Sequence, residues 1–154
     1  MGMLDRYRKK GGFRQLLQLI ETCATAKQTQ FMEIVKKEDP TWAKKISKKM
    51  LSMELVFSWP IEVVGEFATE IPLRTLAIAL KKVGPAGLEK ATATLPHLKK
   101  REVEEMFSTL NPNPNEVHAA SIKVIEKVRQ LIDNGKIRLD RFAPDLALTE
   151  EEAA

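Results

Sequence analysis

Proline residues divide this 154-residue chain into short segments, and this division constrains its fold more than any other feature. Between the prolines, apolar residues recur at spacings of three and four, which is the period of one helix face. Proline suits the first position of a helix and forces its predecessor out of helical geometry. The dividing positions are Pro40, Pro60, Pro72, Pro85, Pro96, Pro112 and Pro114. The sequence therefore predicts an all-α solenoid or bundle of about eight helices joined by short turns.

Two of the early helices are predicted from local patterns. A short second helix would carry Phe31, Ile34 and Val35 inward, because these residues share one helical face. The pair Asp39-Pro40 predicts the start of a third helix, since an Asp side chain can accept hydrogen bonds from the unpaired first amides. This part of the chain is expected to form consecutive packed helices.

The last helix is predicted to follow the break at residues 111–114, where Asn and Pro alternate. Asn115 is predicted to cap this helix, and Gly135 to end it in left-handed geometry. Lys136 to Leu139 is then expected to be extended.

No group of residues in the sequence has the spacing of a reactive site. The single cysteine, Cys23, permits neither an internal disulfide nor a thiolate metal cage. His97 and His118 lie far apart, and neither has metal-ligand spacing to another ligand. The sequence therefore predicts a protein that is not an enzyme, with no catalytic residue, no metal site, no cofactor and no small-molecule substrate.

The charge of the chain is unevenly distributed. Residues 1–60 contain 12 Lys and Arg against 6 Asp and Glu, a net charge of +6, whereas residues 61–154 have a net charge of −2. One hypothesis is therefore a basic helical module that binds nucleic acid or an anionic membrane surface through residues 6–49. Against nucleic acid, the basic residues are mostly Lys without interleaved aromatic side chains. No apolar stretch approaches the roughly 20 residues that span a bilayer, so a cytoplasmic protein is expected.

Over residues 11–141 the chain resembles the second half of the flagellar motor switch protein FliG. Five segments carry the resemblance in the family's order and at nearly unchanged spacing. They are Gly11-Gly12 with the helix that follows, residues 31–40 ending in Asp-Pro, Met50-Leu51-Ser52-Met53, residues 76–81 (Leu-Ala-Ile-Ala-Leu-Lys), and residues 117–139 with Gly135-Lys136-Ile137.

The resemblance implies armadillo-like right-handed helical layers followed by a small helical C-terminal subdomain. On this basis we divide the chain into a basic lead-in at residues 1–10, an armadillo-like unit at 11–51, a C-terminal-like subdomain at 52–141 and a flexible acidic tail at 142–154. Between the two helical units, Met50, Leu51, Ser52 and Met53 correspond to the family's flexible joint and are expected to form a hinge.

The resemblance also implies a function in the bacterial flagellum, in motility and chemotaxis. Expected partners are other switch-complex proteins, the cytoplasmic loop of the stator and neighbouring copies of the chain, at the cytoplasmic face of the inner membrane. The residues expected to bind a partner form a charged helix face: Lys81, Lys100, Arg101, Glu104 and Glu105.

The charged face departs from the family pattern, in which Arg precedes Asp-Asp by six intervening residues. One alignment places these charges at Leu98, Glu105 and Met106, and a slip by one residue places them at His97, Glu104 and Glu105. An alternative reading is that Lys100 with Glu104, and Arg101 with Glu105, merely stabilise their own helix, because residues four apart are neighbours on a helix.

Overall fold

The described residues of a computed structural model of the chain are 2–149 and 152. They form nine α-helices and four short 3-10 helices and contain no β-strand, so the all-α prediction is confirmed. The α-helices are α1 (Gly12–Thr22), α2 (Thr25–Glu38), α3 (Pro40–Lys49), α4 (Met53–Val56), α5 (Ile61–Ala68), α6 (Leu73–Ala79), α7 (Gly84–Thr92), α8 (His97–Thr109) and α9 (Pro114–Asp133). The 3-10 helices are Met3–Tyr7, Leu80–Lys82, Leu139–Arg141 and Pro144–Leu146.

The helices group into two compact units. The first unit comprises Met1–Met50 together with Leu139–Ala154, and the second unit comprises Leu51–Arg138. The chain therefore leaves the first unit after Met50, builds the whole second unit, and returns to the first unit at Leu139. Residue 1, within the expected lead-in, and residues 150, 151, 153 and 154, within the expected tail, lie outside the described residues.

The core of the first unit joins α1, α2 and α3 to the N-terminal 3-10 helix. Its buried side chains are Leu4, Phe13, Leu16, Leu17, Ile20, Val35, Ala43 and Ile46. Phe13 and Trp42 meet edge to face, with ring centroids 5.4 Å apart. Of the residues predicted to face inward from α2, Val35 is buried and Phe31 is half-buried, but the prediction for Ile34 is wrong, because 40% of it is exposed.

Asp39 starts α3 as the sequence predicted. Its Oδ1 accepts hydrogen bonds from the backbone N–H groups of Thr41 (3.1 Å) and Trp42 (3.2 Å), and Pro40 occupies the first helical position. Its Oδ2 lies 3.0 Å from the guanidinium of Arg8. The pKa of Asp39 is lowered, chiefly by the Trp42 amide and then by Arg8.

The C-terminal strap, which we define as residues 144–149 and 152, packs on the first unit. Leu146 is buried, and Leu148 contacts the core of α1–α3. The Nζ of Lys49 lies 2.9 Å from Oε1 of Glu152 and also donates to the carbonyl of Ala147. The acidic composition of residues 142–154 gave no indication that Leu146 would be buried. The basic composition of residues 1–10 likewise gave no indication that Leu4 would be buried.

In the second unit, α6 lies against both α8 and α9, and α5 packs against α7. The ring of Phe67 meets those of Phe57 and Trp59 edge to face, at 5.3 and 6.5 Å. The backbone of α5 approaches Thr94 closely at Gly65, where an added Cβ would lie 2.1 Å from Oγ1 of Thr94. Only glycine fits this position without movement of its neighbour.

The cap of helix α9 lies two residues before the predicted one. The side chain of Asn113, not Asn115, accepts a hydrogen bond from the N–H of Glu116 at 2.8 Å, and the Glu116 side chain accepts one from the N–H of Asn113. The prediction failed because Pro114 suits the first helical position, which makes the residue before it, Asn113, the cap. Gly135 ends the helix region with a φ of 84°, as predicted. Residues 136–139 are not extended as expected, because the chain bends there and enters the 3-10 helix at Leu139.

Candidate partner-binding site

Local sequence determines where helix α8 begins and ends. Pro96 has extended backbone geometry (ψ 146°) and precedes the first helical residue, His97. The helix ends at Thr109, where Leu110 turns to extended geometry ahead of the Asn-Pro-Asn-Pro segment. No side chain caps its N-terminus, because proline has neither an amide hydrogen nor a side-chain acceptor.

A single stripe attaches α8 to the rest of the second unit, mainly to α6. Val103 is fully buried, whereas Met106, Phe107 and Leu110 are half-buried along the same stripe. Val103 is also the only buried residue among the 13 of this helix. The greater part of α8 therefore faces solvent, including Leu98, of which 72% is exposed.

The predicted charged face lies on this exposed side. Arg101, Glu104 and Glu105 are exposed and Lys100 is half-buried. Within residues 2–149 and 152, no ion pair joins Lys100 to Glu104 or Arg101 to Glu105, so the alternative reading as intrahelical pairs is not supported by the geometry. The order of the charges also disfavours it, because Glu preceding Lys by four residues is the more stabilising arrangement.

The charges of α8 run opposite to the order that a helix favours. Lys99, Lys100 and Arg101 stand in its first half, and Glu102, Glu104 and Glu105 follow. The first turn contains no acidic residue and the last turn no basic one. Because the N-terminus of a helix carries partial positive charge and the C-terminus partial negative charge, this order costs rather than contributes helix stability. Local helix energetics thus give no reason for these charges.

Lys81 is brought to α8 by a contact that sequence reasoning missed. It belongs to the 3-10 helix Leu80–Lys82, which continues α6. Its Nζ lies 4.5 Å from the centroid of the Phe107 ring, a cation–π geometry. Lys81 therefore lies beside the helix that carries the other four predicted residues, although its ammonium group already has an intramolecular contact.

The residues of the expected hinge connect α3 to α4. Met50 ends α3 with extended backbone, and its Sδ accepts from Nε2 of Gln28 at 3.4 Å. Ser52 caps α4, its Oγ accepting from the N–H of Leu55 at 3.2 Å. Leu51 and Met53 are buried. The boundary between the two units falls between Met50 and Leu51.

A groove of about 820 Å³ lies between α2 and α3 in the first unit, and the sequence analysis did not identify it. Met32, Ala43 and Met50 contribute apolar surface to it. Three lysines also line it: Lys36, Lys44 and Lys48. These residues are dispersed over two helices, so no contiguous motif signals the groove.

The described part of the chain offers no group of three His, Cys, Asp or Glu side chains placed to hold a metal ion. His97 and His118 belong to different helices, α8 and α9. Among the helices at residues 2–149, none combines the length and the apolar content needed to cross a bilayer.

Comparisons with known proteins identify the family. The family model described as the FliG C-terminal domain matches residues 33–139, a range that includes the expected hinge and all of α8. The structure of full-length FliG from Aquifex aeolicus is similar in fold, with a TM-score of 0.53 and 22% sequence identity. The similarity covers 84% of this chain and 41% of that one, so the chain spans less than half the length of that FliG. No curated protein matches the sequence. The chain belongs to the FliG C-terminal domain family.

Proposed function

We propose that this chain is a protein-binding module of the flagellar motor switch type, and that α8 is the surface it presents to a partner. The resemblance to FliG implies the cytoplasmic loop of the stator as the partner of this helix. It also implies other switch proteins or neighbouring copies as partners of the first unit. The proposed location is the cytoplasm, at the cytoplasmic face of the inner membrane.

One observation carries this proposal: the charges of α8 do nothing for the fold. They are mostly exposed, they form no ion pair among the described residues, and their order along the helix opposes the helix dipole. Charges that cost stability without an intramolecular partner are explained by a macromolecule of complementary charge. Electrostatic complementarity of this kind increases association rates and excludes wrong partners.

The proposed role is binding and not catalysis. Helix α8 presents a convex, charged surface, and its basic and acidic halves suit a partner segment whose charges run in the opposite order. The expected hinge at Met50–Met53 would allow the two units to change orientation by repacking Met side chains, which are soft and adaptable.

The experiment inverts the charges of α8 without changing net charge. The double variant Arg101→Glu with Glu105→Lys is compared with Lys123→Glu with Glu126→Lys, an equivalent inversion at exposed positions of α9. The probes are the purified stator loop and the switch proteins of the same host. We expect the α8 inversion to weaken binding at least tenfold, or about 1.4 kcal/mol, and the α9 inversion to have no effect.

Circular dichroism on both variants establishes that they fold equally. Equal binding by the two double variants would show that α8 is not the partner-binding surface. Failure of the unaltered chain to bind either probe would reject the motor role and leave the family membership intact.

The alternative function, binding of nucleic acid or an anionic membrane through residues 6–49, has less support. Arg8 is paired with Asp39 and lies 5.0 Å from the Trp42 ring centroid, and Lys49 is buried against Glu152. These two cations are therefore committed to the fold. The discriminating measurement is salt dependence, because binding through phosphate contacts weakens steeply as salt rises. Binding to DNA, RNA or anionic liposomes at low salt would favour this alternative.

A further inference from the structure

The groove between α2 and α3 has the dimensions of a docking site for a helix. Each helix turns one face to it, because the lining positions recur at spacings of three and four. The lining positions are 28, 29, 32, 33 and 36 on α2, and 40, 43, 44, 47 and 48 on α3, with residue 50 after it. Between Gln28 and Lys36 the groove extends eight positions, or about 12 Å along α2. An amphipathic helix with apolar side chains at i, i+4 and i+7 places its first and last anchors about 10 Å apart, so two turns of such a helix match this length.

The floor of the groove, which we define as Met32, Ala43 and Met50, is apolar. Both methionines also pack against the buried core of the first unit. Ala43 belongs to that core and contributes only a methyl group. Methionine side chains are flexible and polarizable, so they adapt to apolar groups of different shape. The floor therefore suits the apolar side chains of a partner without requiring a single shape.

The rim of the groove, which we define as Lys36, Lys44 and Lys48, is basic. All three lysines are exposed, and none forms an ion pair with the residues that the structure describes. Among the described lining residues only Glu33 is acidic, so three lysines against one glutamate give the lining a net charge of +2. The helix dipole favours Lys36 and Lys48, which lie in last turns, but gives no reason for Lys44. Lys44 also lies four positions before Lys48, where like charges repel, so a negative group bound from outside would relieve this repulsion.

The combination of an apolar floor and a basic rim selects among the possible occupants of the groove. The phosphate groups of a nucleic acid would contact the lysines but leave the apolar floor unused, and an uncharged helix would leave the lysines unused. An apolar centre surrounded by a polar rim is the usual anatomy of a protein interface. Opposite charge on the partner would also speed association and exclude partners of the wrong charge.

We propose that this groove binds a helical segment of a partner protein, with apolar side chains at i, i+4 and i+7 on the floor and carboxylates against the rim lysines. The inference rests on the proposed function as a protein-binding module and adds the chemistry of the partner of the first unit. It does not depend on which partner α8 binds.

The test measures binding of a labelled synthetic peptide to the full chain by fluorescence anisotropy. The acidic probe is a helical peptide of about 18 residues with Leu at the i, i+4 and i+7 positions and Glu beside them, and the reversed probe has Lys in place of each Glu. The variant Lys44→Glu with Lys48→Glu reverses the rim, and Lys27→Glu with Lys37→Glu makes the same charge change at exposed positions of α2 outside the groove. At an ionic strength of about 0.15 M, charges more than about 8 Å from the peptide are largely screened. We expect the acidic probe alone to bind, the rim reversal to weaken its binding at least tenfold, and the control reversal to have little effect.

A second pair of variants tests the floor without disturbing the core. Ser47 is an exposed lining residue of α3, so Ser47→Phe would place a ring in the groove. Gln30→Phe adds the same ring to an exposed position of α2 that does not line the groove. We expect Ser47→Phe to weaken binding of the acidic probe at least tenfold and Gln30→Phe to leave it unchanged. Circular dichroism and urea midpoints establish that all four variants fold like the parent.

Several results would overturn the proposal. Failure of the acidic probe to bind is one, and an equal loss of binding in the rim reversal and its control is another, because binding would then follow net charge and not the groove. A dimer of the parent that Ser47→Phe dissociates, seen by analytical ultracentrifugation, would assign the groove to a second copy of the chain. Binding of duplex DNA or anionic liposomes that the rim reversal abolishes, without binding of the peptide, would assign the lysines to phosphate groups.

The α8 inversion separates this proposal from the proposed function of α8. Arg101→Glu with Glu105→Lys should leave binding of the acidic probe unchanged, because α8 belongs to the second unit. If the chain binds the stator loop but not the peptide, the groove assignment is wrong and the α8 assignment stands. If it binds the peptide but not the stator loop, the reverse holds.

Discussion

Helices α8 and α9 are the longest helices of the second unit, and each follows a proline-marked break, yet they are stabilised in very different ways. Helix α9 begins with the reciprocal cap of Asn113 and Glu116 and buries seven of its 20 residues. Helix α8 has no side-chain cap and buries only Val103 among 13 residues. Its charges also oppose its dipole, whereas Glu116 places an acidic group in the first turn of α9.

This difference shows which of the two helices has features that the fold does not explain. Burial, the N-terminal cap and the acidic first turn explain how α9 is stabilised. The same three considerations leave most of α8 unexplained. The proposed partner outside the chain would account for the charges of α8, and the following predictions test this contrast from the largest expected effect to the smallest.

Truncation of an apolar side chain should affect the two helices unequally. Leu131→Ala in α9 removes a side chain that is 3% exposed, and we expect it to lower the free energy of unfolding by about 2 to 5 kcal/mol. Leu98→Ala in α8 removes one that is 72% exposed, so its effect should stay within about 0.5 kcal/mol. Urea unfolding monitored by circular dichroism measures both. A loss above about 1 kcal/mol for Leu98→Ala would break the contrast.

Removal of the cap should identify the first residue of α9. We expect Asn113→Ala to cost about 1 kcal/mol of unfolding free energy, because it leaves the amide of Glu116 without its acceptor. Asn115→Ala, two residues further along in the first turn, is the matched control and should cost less, since Asn115 accepts no capping bond. Urea midpoints of the two variants provide the comparison. A larger loss of unfolding free energy in Asn115→Ala than in Asn113→Ala would show that Asn115 is the cap, as the sequence pattern predicted.

A charge reversal in the first turn of α8 should stabilise the protein. Lys99→Glu places an acidic group near the N-terminus of the helix, and we expect a gain of about 0.3 to 1 kcal/mol at low ionic strength. The gain should diminish in high salt because the group is exposed. Lys123→Glu in the middle of α9 serves as the control. Destabilisation by Lys99→Glu would mean that Lys99 contributes to the fold after all.

Acidification should destabilise the protein by protonating the carboxylates of Asp39 and Glu152, which stabilise the folded state in their ionised form. The pKa of Asp39 is lowered by the Trp42 amide and Arg8; burial alone would raise that of Glu152, but bonds from Thr149 and Lys49 lower it overall. A lowered pKa in the folded state means that the stabilisation is present above the unfolded values, 3.8 and 4.5, and is lost as pH falls through the folded values.

Thermal unfolding between pH 6 and pH 3 measures this effect. Asp39→Asn keeps a capping side chain but cannot titrate, so its midpoint should fall less on acidification than that of the parent. Glu152→Gln should behave in the same way. Parallel midpoint curves for parent and variants would show that other groups govern the acid response.

The sequence was sufficient where structure is set by near neighbours. Pro40 and Asp39 start α3 as predicted, and Gly135 adopts the left-handed geometry expected of it. The burial of Val103 follows from its place on an apolar stripe. Two of the three local errors have clear physical causes: Ile34 continues the face of Val35 beyond the width that α2 buries, and Pro114 shifts the cap of α9 to Asn113. The third is residues 136–139, where the chain bends instead of being extended.

The sequence was insufficient where contacts join distant residues. Lys49 and Glu152 are 103 positions apart, and each looks like one member of an ordinary charged run. The contact of Lys81 with Phe107 depends on how α6 packs against α8, which periodicity does not specify. The resemblance to the family suggested the charged face of α8, but the lack of intrahelical ion pairs there is visible only in the structure.

The return of the chain to its first unit has a consequence for synthesis on the ribosome. Helices α1–α3 emerge first, but the strap that completes their surface emerges only after the entire second unit. At about 5 to 20 residues per second, Glu152 follows Lys49 by roughly 5 to 20 seconds. The second unit, being continuous in sequence, can finish folding during that interval. The ion pair of Lys49 and Glu152 therefore forms only after the whole second unit has been synthesised.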